Sequence, residues 1–134
     1  MIENVVLKFL KDDAVLNTLT GGNIYPDTAQ VAALPVVIMT ADAPNSPIDA
    51  SYFFTQNLTF EIYAQSEYTA QQIRNRLYEL LNKYDKFTLN DLPNKIMIRE
   101  AHAVPASVSN HFPNDTTQAK EKVASFDFQY TKCA

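Results

Sequence analysis

Glycine is almost missing from this chain: two occur in 134 residues, and they are adjacent, Gly21 and Gly22. A glycine-rich phosphate loop is thereby excluded, because such loops need glycines at fixed spacing followed by Lys-Ser or Lys-Thr. Cysteine is scarcer still. Cys133 stands alone beside the carboxyl terminus, so no intramolecular disulfide and no cysteine-based metal site can form. Charged residues make up only 19%, below the roughly 25% usual in soluble domains, while neutral polar residues are plentiful. The balance of 11 basic against 15 acidic residues leaves a net charge of −4, and the basic residues are scattered. That argues against a general nucleic-acid binder, which must gather positive charge on one surface to neutralise phosphates. The longest apolar run, Val31 to Met39, is broken by Pro35 and is too short to span a bilayer. Glu3 stands where a secretory signal would need positive charge. The expectation is a soluble protein made in the cytoplasm, with no membrane partner.

What is present is patterning. With 46% apolar residues, the chain suits one α+β domain over residues 1–134, long enough to bury a core. Between Asn57 and Ala64, Leu58, Phe60, Ile62 and Ala64 alternate with Asn57, Thr59, Glu61 and Tyr63, which predicts a strand with one buried face. After Tyr68 the period changes. Ala70, Ile73, Leu77, Leu80, Leu81 and Tyr84 form one helical stripe over Thr69 to Tyr84. Either Ser66 or Thr69 can cap this helix, and Thr69 with Gln72 fits a capping box. Arg74, Arg76, Glu79 and Lys83 lie opposite as a solvated face, with Glu79 and Lys83 in the favourable acid-first order. Helix and strand have matching lengths of about 24–26 Å, so the helix is expected to lie across the sheet.

Earlier in the chain, Ile2, Val5, Val6, Phe9 and Leu10 predict a first helix. It pauses near Asp12-Asp13, either of which can cap a second piece through Val15, Leu16 and Leu19, and Gly21-Gly22 ends it. Asn23 to Thr28 reads as a short extended piece. Pro35 opens a β-branched strand, VVIMTA, and the proline-rich stretch from Asp42 to Ala50 is a loop tip. The next strand can start as early as Tyr52, with Phe54 and Gln56 facing inward. Asp85 to Asn94 reads as a connection. Lys95 to Val104 is a further strand, with Ile96 and Ile98 on one face and Met97, Arg99, Ala101 and Ala103 on the other. Ala106 to Glu121 is a long polar loop. Lys122 to Lys132 closes the chain as a strand whose Ala124, Phe126, Phe128 and Tyr130 alternate with Ser125, Asp127, Gln129 and Thr131. The sum is an α+β fold: a mixed, mainly antiparallel sheet of about four strands, with two main helices packed on one face.

Few groups could carry chemistry. Pairing His102 or His111 with Cys133 makes a nominal dyad that no surrounding residue supports. Asp42 and Asp49 flank the proline-rich loop, but acids are ordinary occupants of turns and no metal spacing is present. The aromatic series Tyr52, Phe53, Phe54, Phe60 and Tyr63 has no interleaved bases and so does not read as a stacking surface for nucleic acid. Alternation sets Phe53 opposite Phe54, so one of the two rings must face solvent, a covering loop or a partner. No catalytic, cofactor or metal site is expected.

The order of elements carries a resemblance. Asp13 to Leu19 (DAVLNTL), Gly21 to Asp27 (GGNIYPD), the proline-led strand Leu34 to Met39, the strand and helix Phe60 to Leu81, and the aromatic strand Ser125 to Tyr130 together resemble the tail completion or tail terminator proteins of bacteriophages with long, non-contractile tails, including tail-to-head joining proteins. The poverty of glycine after the central helix departs from that pattern. The resemblance implies a non-enzymatic virion protein that forms a hexameric ring on the tail tube, meets the tail tube protein and the head connector, and passes genomic DNA through its lumen as cargo. A ring needs two different patches on each subunit. The candidates are the Asp42 to Phe54 segment, with Asp42, Asp49, Tyr52 and Phe53, and the Ala106 to Glu121 loop, with His111, Phe112, Asn114 and Asp115, because recognition usually resides on loops held by a rigid sheet. A protein-binding module that uses an exposed sheet edge is the alternative.

Overall fold

The computed structural model describes residues 2–26, 34–42, 53–82, 87–91, 94–105 and 120–132. Two helices open the chain, α1 (Ile2–Lys11) and α2 (Ala14–Thr20), separated by Asp12-Asp13 as the pattern predicts. Asp13 caps α2: its backbone is extended and its Oδ2 accepts from the Leu16 N–H at 2.9 Å, which satisfies a donor that the first turn leaves without a partner. Gly21 (φ 65°) and Gly22 (φ 80°) end α2 in the left-handed region, where any side chain with a Cβ is strained. The glycine pair therefore sits where the fold requires it.

The sheet follows, as β1 (Ile24–Tyr25), β2 (Val36–Ala41), β3 (Phe53–Ala64), then helix α3 (Glu67–Leu81), β4 (Phe87–Asp91), β5 (Asn94–Val104) and β6 (Lys120–Lys132). Its order is β1-β2-β3-β6-β5-β4. β1 pairs with β2 in parallel and all other pairings are antiparallel. The α+β class with helices on one face is as expected, but the described residues form six strands rather than about four. β1 is a two-residue bridge within the expected extended piece, and β4 lies inside the stretch read as a connection. β4 and β5 pair antiparallel from Asp91 with Asn94 onward.

All three helices contribute to one core. Ile2, Val5, Val6, Leu10, Leu16, Ala70, Ile73, Leu77 and Leu81 pack against Leu58, Phe60, Ile62, Ala124, Phe126, Phe128 and Tyr130 of the two central strands. Phe126 is the hinge of the packing, meeting Phe60 edge-on at 6.0 Å and Tyr78 edge-on at 5.5 Å, a favoured arrangement of aromatic quadrupoles. Ser66 caps α3, its Oγ accepting from the Thr69 N–H at 3.1 Å. The Thr69–Gln72 box does not form, since the helix begins two residues earlier and Gln72 donates instead to the Tyr68 hydroxyl. Arg76, expected on a solvated face, is half-buried and reaches across to Asp13 on α2. Glu79 pairs with Arg76 at 2.8 Å; Lys83 and Tyr84 lie outside the described residues.

Two further expectations change. β3 is not buried on one face alone: Glu61 and Tyr63 are 1% and 2% exposed, and Tyr63 belongs with Val36, Ile38, Tyr25 and Leu34 to a second apolar cluster. The side that alternation marks as polar carries its own small core there. On β5 the predicted face assignment holds only through Ile98. A register shift between Ile98 and Glu100 inserts Arg99 as an extra residue, and a bulge of one residue exchanges the faces of all that follows. Ala101 therefore joins Ile96 and Ile98 in the main core, with Ala103 packed against it.

Candidate interaction surface

The sheet face away from the helices gathers the polar half of each alternating strand. Antiparallel pairing sets Asn57 opposite Asp127 and Thr59 opposite Ser125, and β5 brings His102 beside Asp127. Asn57 Nδ2 donates to Ser125 Oγ and to Asp127 Oδ1, both at 2.8 Å. Thr59 Oγ1 donates to Asn57 Oδ1 at 2.9 Å and lies 3.0 Å from Ser125 Oγ. Four short side chains thus lock β3 to β6 by a ladder of cross-strand hydrogen bonds. His102 Nδ1 lies 3.3 Å from Glu100 Oε1. The imidazole is a third exposed and stands beside Glu100 and Asp127. No group of three potential metal ligands occurs among the described residues.

Where β2 ends, this face opens into a cleft of about 430 Å³ lined by Asp42, Thr55, Gln56, Asn57, His102, Asp127, Phe128 and Gln129. Its floor is fixed from the core side. Gln56, only 4% exposed, donates through Nε2 to the Asp42 carbonyl at 2.8 Å and to Glu3 Oε1 at 2.5 Å, and its Oε1 accepts from the Tyr130 hydroxyl at 2.9 Å. One amide therefore joins α1, the end of β2, β3 and β6. Burial works to raise the Glu3 carboxyl, but the hydrogen bonds it accepts, including that from Gln56, outweigh it and hold the group below the ordinary glutamate range. Burial, and then the nearby Glu3 charge, push the Tyr130 phenol up to about 12.

Of the residues proposed from sequence for an interface, Asp42 lines the cleft as an exposed residue at the end of β2. Phe53 begins β3, paired with Thr131. Its neighbour Phe54 turns toward the core and stacks on Tyr130 at 5.4 Å, as the inward reading of Phe54 and Gln56 requires. Asp49, Tyr52, His111, Phe112, Asn114, Asp115 and Cys133 lie outside the described residues. Sequence reasoning missed the joining of Asn57, Thr59, Ser125 and Asp127. Their polar alternation was visible, yet 68 residues separate Asn57 from Ser125 and nothing local says that these two strands are neighbours.

No protein-family model matches the chain, and no curated protein matches its sequence. Among solved structures, the fold is similar to that of a chain from the virion of a native gene transfer agent particle, with a TM-score of 0.60 and 15% identity, covering 95% of this chain and 89% of that chain. At this identity the likeness is one of fold.

Proposed function

We propose that this protein is a structural component of a phage-like virion, acting as a tail completion or tail terminator protein. It forms a ring, a hexamer on the tail, that caps the tail tube, meets the head connector and encloses a passage for DNA. The observation that carries the reading is the fold shared along nearly the whole chain with a component of a gene transfer agent virion, in agreement with the succession of sequence segments that resembles tail completion proteins. Composition supports a conduit role: a net charge of −4 and an open sheet face made of amides, hydroxyls and carboxylates give DNA phosphates nothing to grip. The reading is non-enzymatic, and neither a cofactor nor a membrane enters it.

Purified protein is mixed with tail tubes and with head connectors and examined by light scattering and electron microscopy. Rings on tube ends are expected, and failure to associate with either partner overturns the reading. Deleting Ser107 to Thr117 is expected to leave the circular dichroism unchanged while impairing head-to-tail joining; normal joining removes that loop from the interface.

A second reading has one structural support. Asp42 N–H donates inward to Asn57 O whereas Val37 N–H donates outward to Asn23 O, so alternation directs the backbone groups of Met39 and Ala41 off the sheet. β1 reaches only Val37 and Ile38. This short edge, open among the described residues, suits a module that pairs with an extended segment of another protein, and such binding by a monomer without rotational symmetry is its signature.

A further inference from the structure

We infer that α1 controls whether the end of β2 stays closed on the sheet, and that the Gln56 amide is the positioning group through which it acts. Gln56 is the one polar side chain in the inward row of β3, among Phe54, Leu58, Phe60, Ile62 and Ala64, and it is 4% exposed. An amide is costly to bury unless its donors and acceptor are met, and here each bond goes to a different element. Nε2 donates to Glu3 of α1 and to the Asp42 carbonyl at the end of β2, while Oε1 accepts from the Tyr130 hydroxyl of β6. The amide fits only one way round, because the Glu3 carboxylate and the Asp42 carbonyl accept and do not donate.

These three bonds share one planar group that turns about a single torsion. In glutamine that terminal torsion is broad, without a staggered well to hold it, so the partners set its angle. Releasing Glu3 frees the amide to turn, and the turn weakens its bond to the Asp42 carbonyl. The pairing of β2 with β3 runs to Ala41 opposite Leu58. Past that point Asp42 is tied to β3 through its N–H on Asn57 O at 3.1 Å and its carbonyl under Gln56 Nε2 at 2.8 Å. A strand terminus opens and closes locally at small cost, which supplies the two-state element that coupling requires. Such coupling is reciprocal: a partner that draws α1 from its seat loosens the end of β2, and one that pairs with the end of β2 tightens the seat of α1. It holds whether the end of β2 meets a ring neighbour or an extended segment of another protein.

The test is amide hydrogen exchange in the full chain, followed by nuclear magnetic resonance at Asp42, with Ala103, whose N–H donates to Asn82 Oδ1, as the control. Glu3→Ala is expected to speed exchange at Asp42 by about threefold, the lower end of what one hydrogen bond contributes, with Ala103 unchanged. Glu3→Gln keeps a side-chain oxygen as acceptor and should restore most of the protection. Gln56→Met, similar in shape but without the amide, should speed Asp42 by about tenfold, the upper end of that range, and in that background Glu3→Ala should add nothing. Unchanged exchange at Asp42 in Glu3→Ala, no recovery in Glu3→Gln, or an undiminished effect of Glu3→Ala in the Gln56→Met background overturns the inference. If Gln56→Met does not fold, the contrast between Glu3→Ala and Glu3→Gln decides by itself.

Discussion

Arg76 on α3 grips Asp13 at the head of α2 with two prongs, Nε to Oδ2 at 2.9 Å and Nη2 to Oδ1 at 2.7 Å. The same Oδ2 accepts from the Leu16 N–H, so one carboxylate both starts a helix and fastens it to another 63 residues away. The Arg76 hydrogen bond is the chief reason that the Asp13 carboxyl is held below the usual aspartate range; burial opposes the shift and the Leu16 N–H adds to it. A planar fork on a carboxylate is geometry that arginine supplies and lysine does not.

Substituting Arg76 separates the two roles of Asp13. A depressed folded-state carboxyl contributes stability that is fully present above its unfolded value of about 3.9 and is lost as pH falls through the lower folded value. In Arg76→Ala the acid-side loss of stability should become shallower, and the thermal midpoint at neutral pH should fall. Arg76→Lys should recover only part of that midpoint. Asp13→Asn should keep the cap but lose the fork, whereas Asp13→Ala should lose a further ~1 kcal/mol for the cap. Thermal melts of the four variants across pH 2 to 7 check the order; equal midpoints for Asp13→Asn and Asp13→Ala would show that capping contributes nothing.

Gln56 is the next point of leverage. Gln56→Leu matches the buried volume but strands the Tyr130 hydroxyl and removes the donor to Glu3 and to the Asp42 carbonyl, so a loss of about 1–3 kcal/mol is expected in urea unfolding. Tyr130→Phe leaves only the amide oxygen of Gln56 short of a partner and should cost less. The phenol, raised to about 12 from about 10 in the unfolded chain, favours the neutral form in the folded state. Its contribution is whole below pH 10 and is lost as pH rises toward 12. Tyrosinate absorbance in the folded protein should include a step near pH 12, and Tyr130→Phe should abolish that step.

The legible parts of the fold were those set by local period. The alternation of Leu58, Phe60 and Ile62 and the stripe Ala70, Ile73, Leu77 and Leu81 are buried as their spacing demands, and the glycine pair stands at the predicted stop. Long-range pairing left no local mark. Glu61 and Tyr63 read as solvent-facing because alternation knows nothing of Val36 and Ile38, which β2 lays beside them. Arg76 read as solvated because its partner lies in another helix. The cleft was half-visible, Asp42 being marked by its place beside a loop, while Asn57, Asp127 and Gln129 looked like the ordinary polar side of their strands.

Phe126 measures how far the core tolerates change. It touches both the strand partner Phe60 and the helix residue Tyr78, so truncation leaves a cavity that neither rigid ring can fill. Phe126→Ala should cost about 3–5 kcal/mol, and Phe126→Leu less, because more of the volume is kept. Urea midpoints of the two variants give the comparison, and a Phe126→Ala protein as stable as the parent would mean that the helix layer can settle onto the sheet.

The bulge at Arg99 makes the sharpest demand on backbone alone. With the extra residue in place, Ile96 and Ile98 before it and Ala101 after it all face the helices, while Glu100 and His102 face the cleft side. Removing Arg99 takes out the one unpaired residue, so Glu100 follows Ile98 directly and Ala101 and His102 keep their faces and their partners on β6. Removing Arg99 and Glu100 together is different: strict alternation then carries His102 to the core face and Ala101 onto the polar ladder. Deletion of Arg99 alone should therefore leave a folded protein with dispersed resonances and a cooperative melt, whereas the double deletion should unfold the protein or reduce it to a state without dispersed resonances. A single deletion that loses its dispersion would mean that the fold needs the bend the bulge gives β5, and a double deletion that melts like the parent would mean that the strand reforms by shifting along β6.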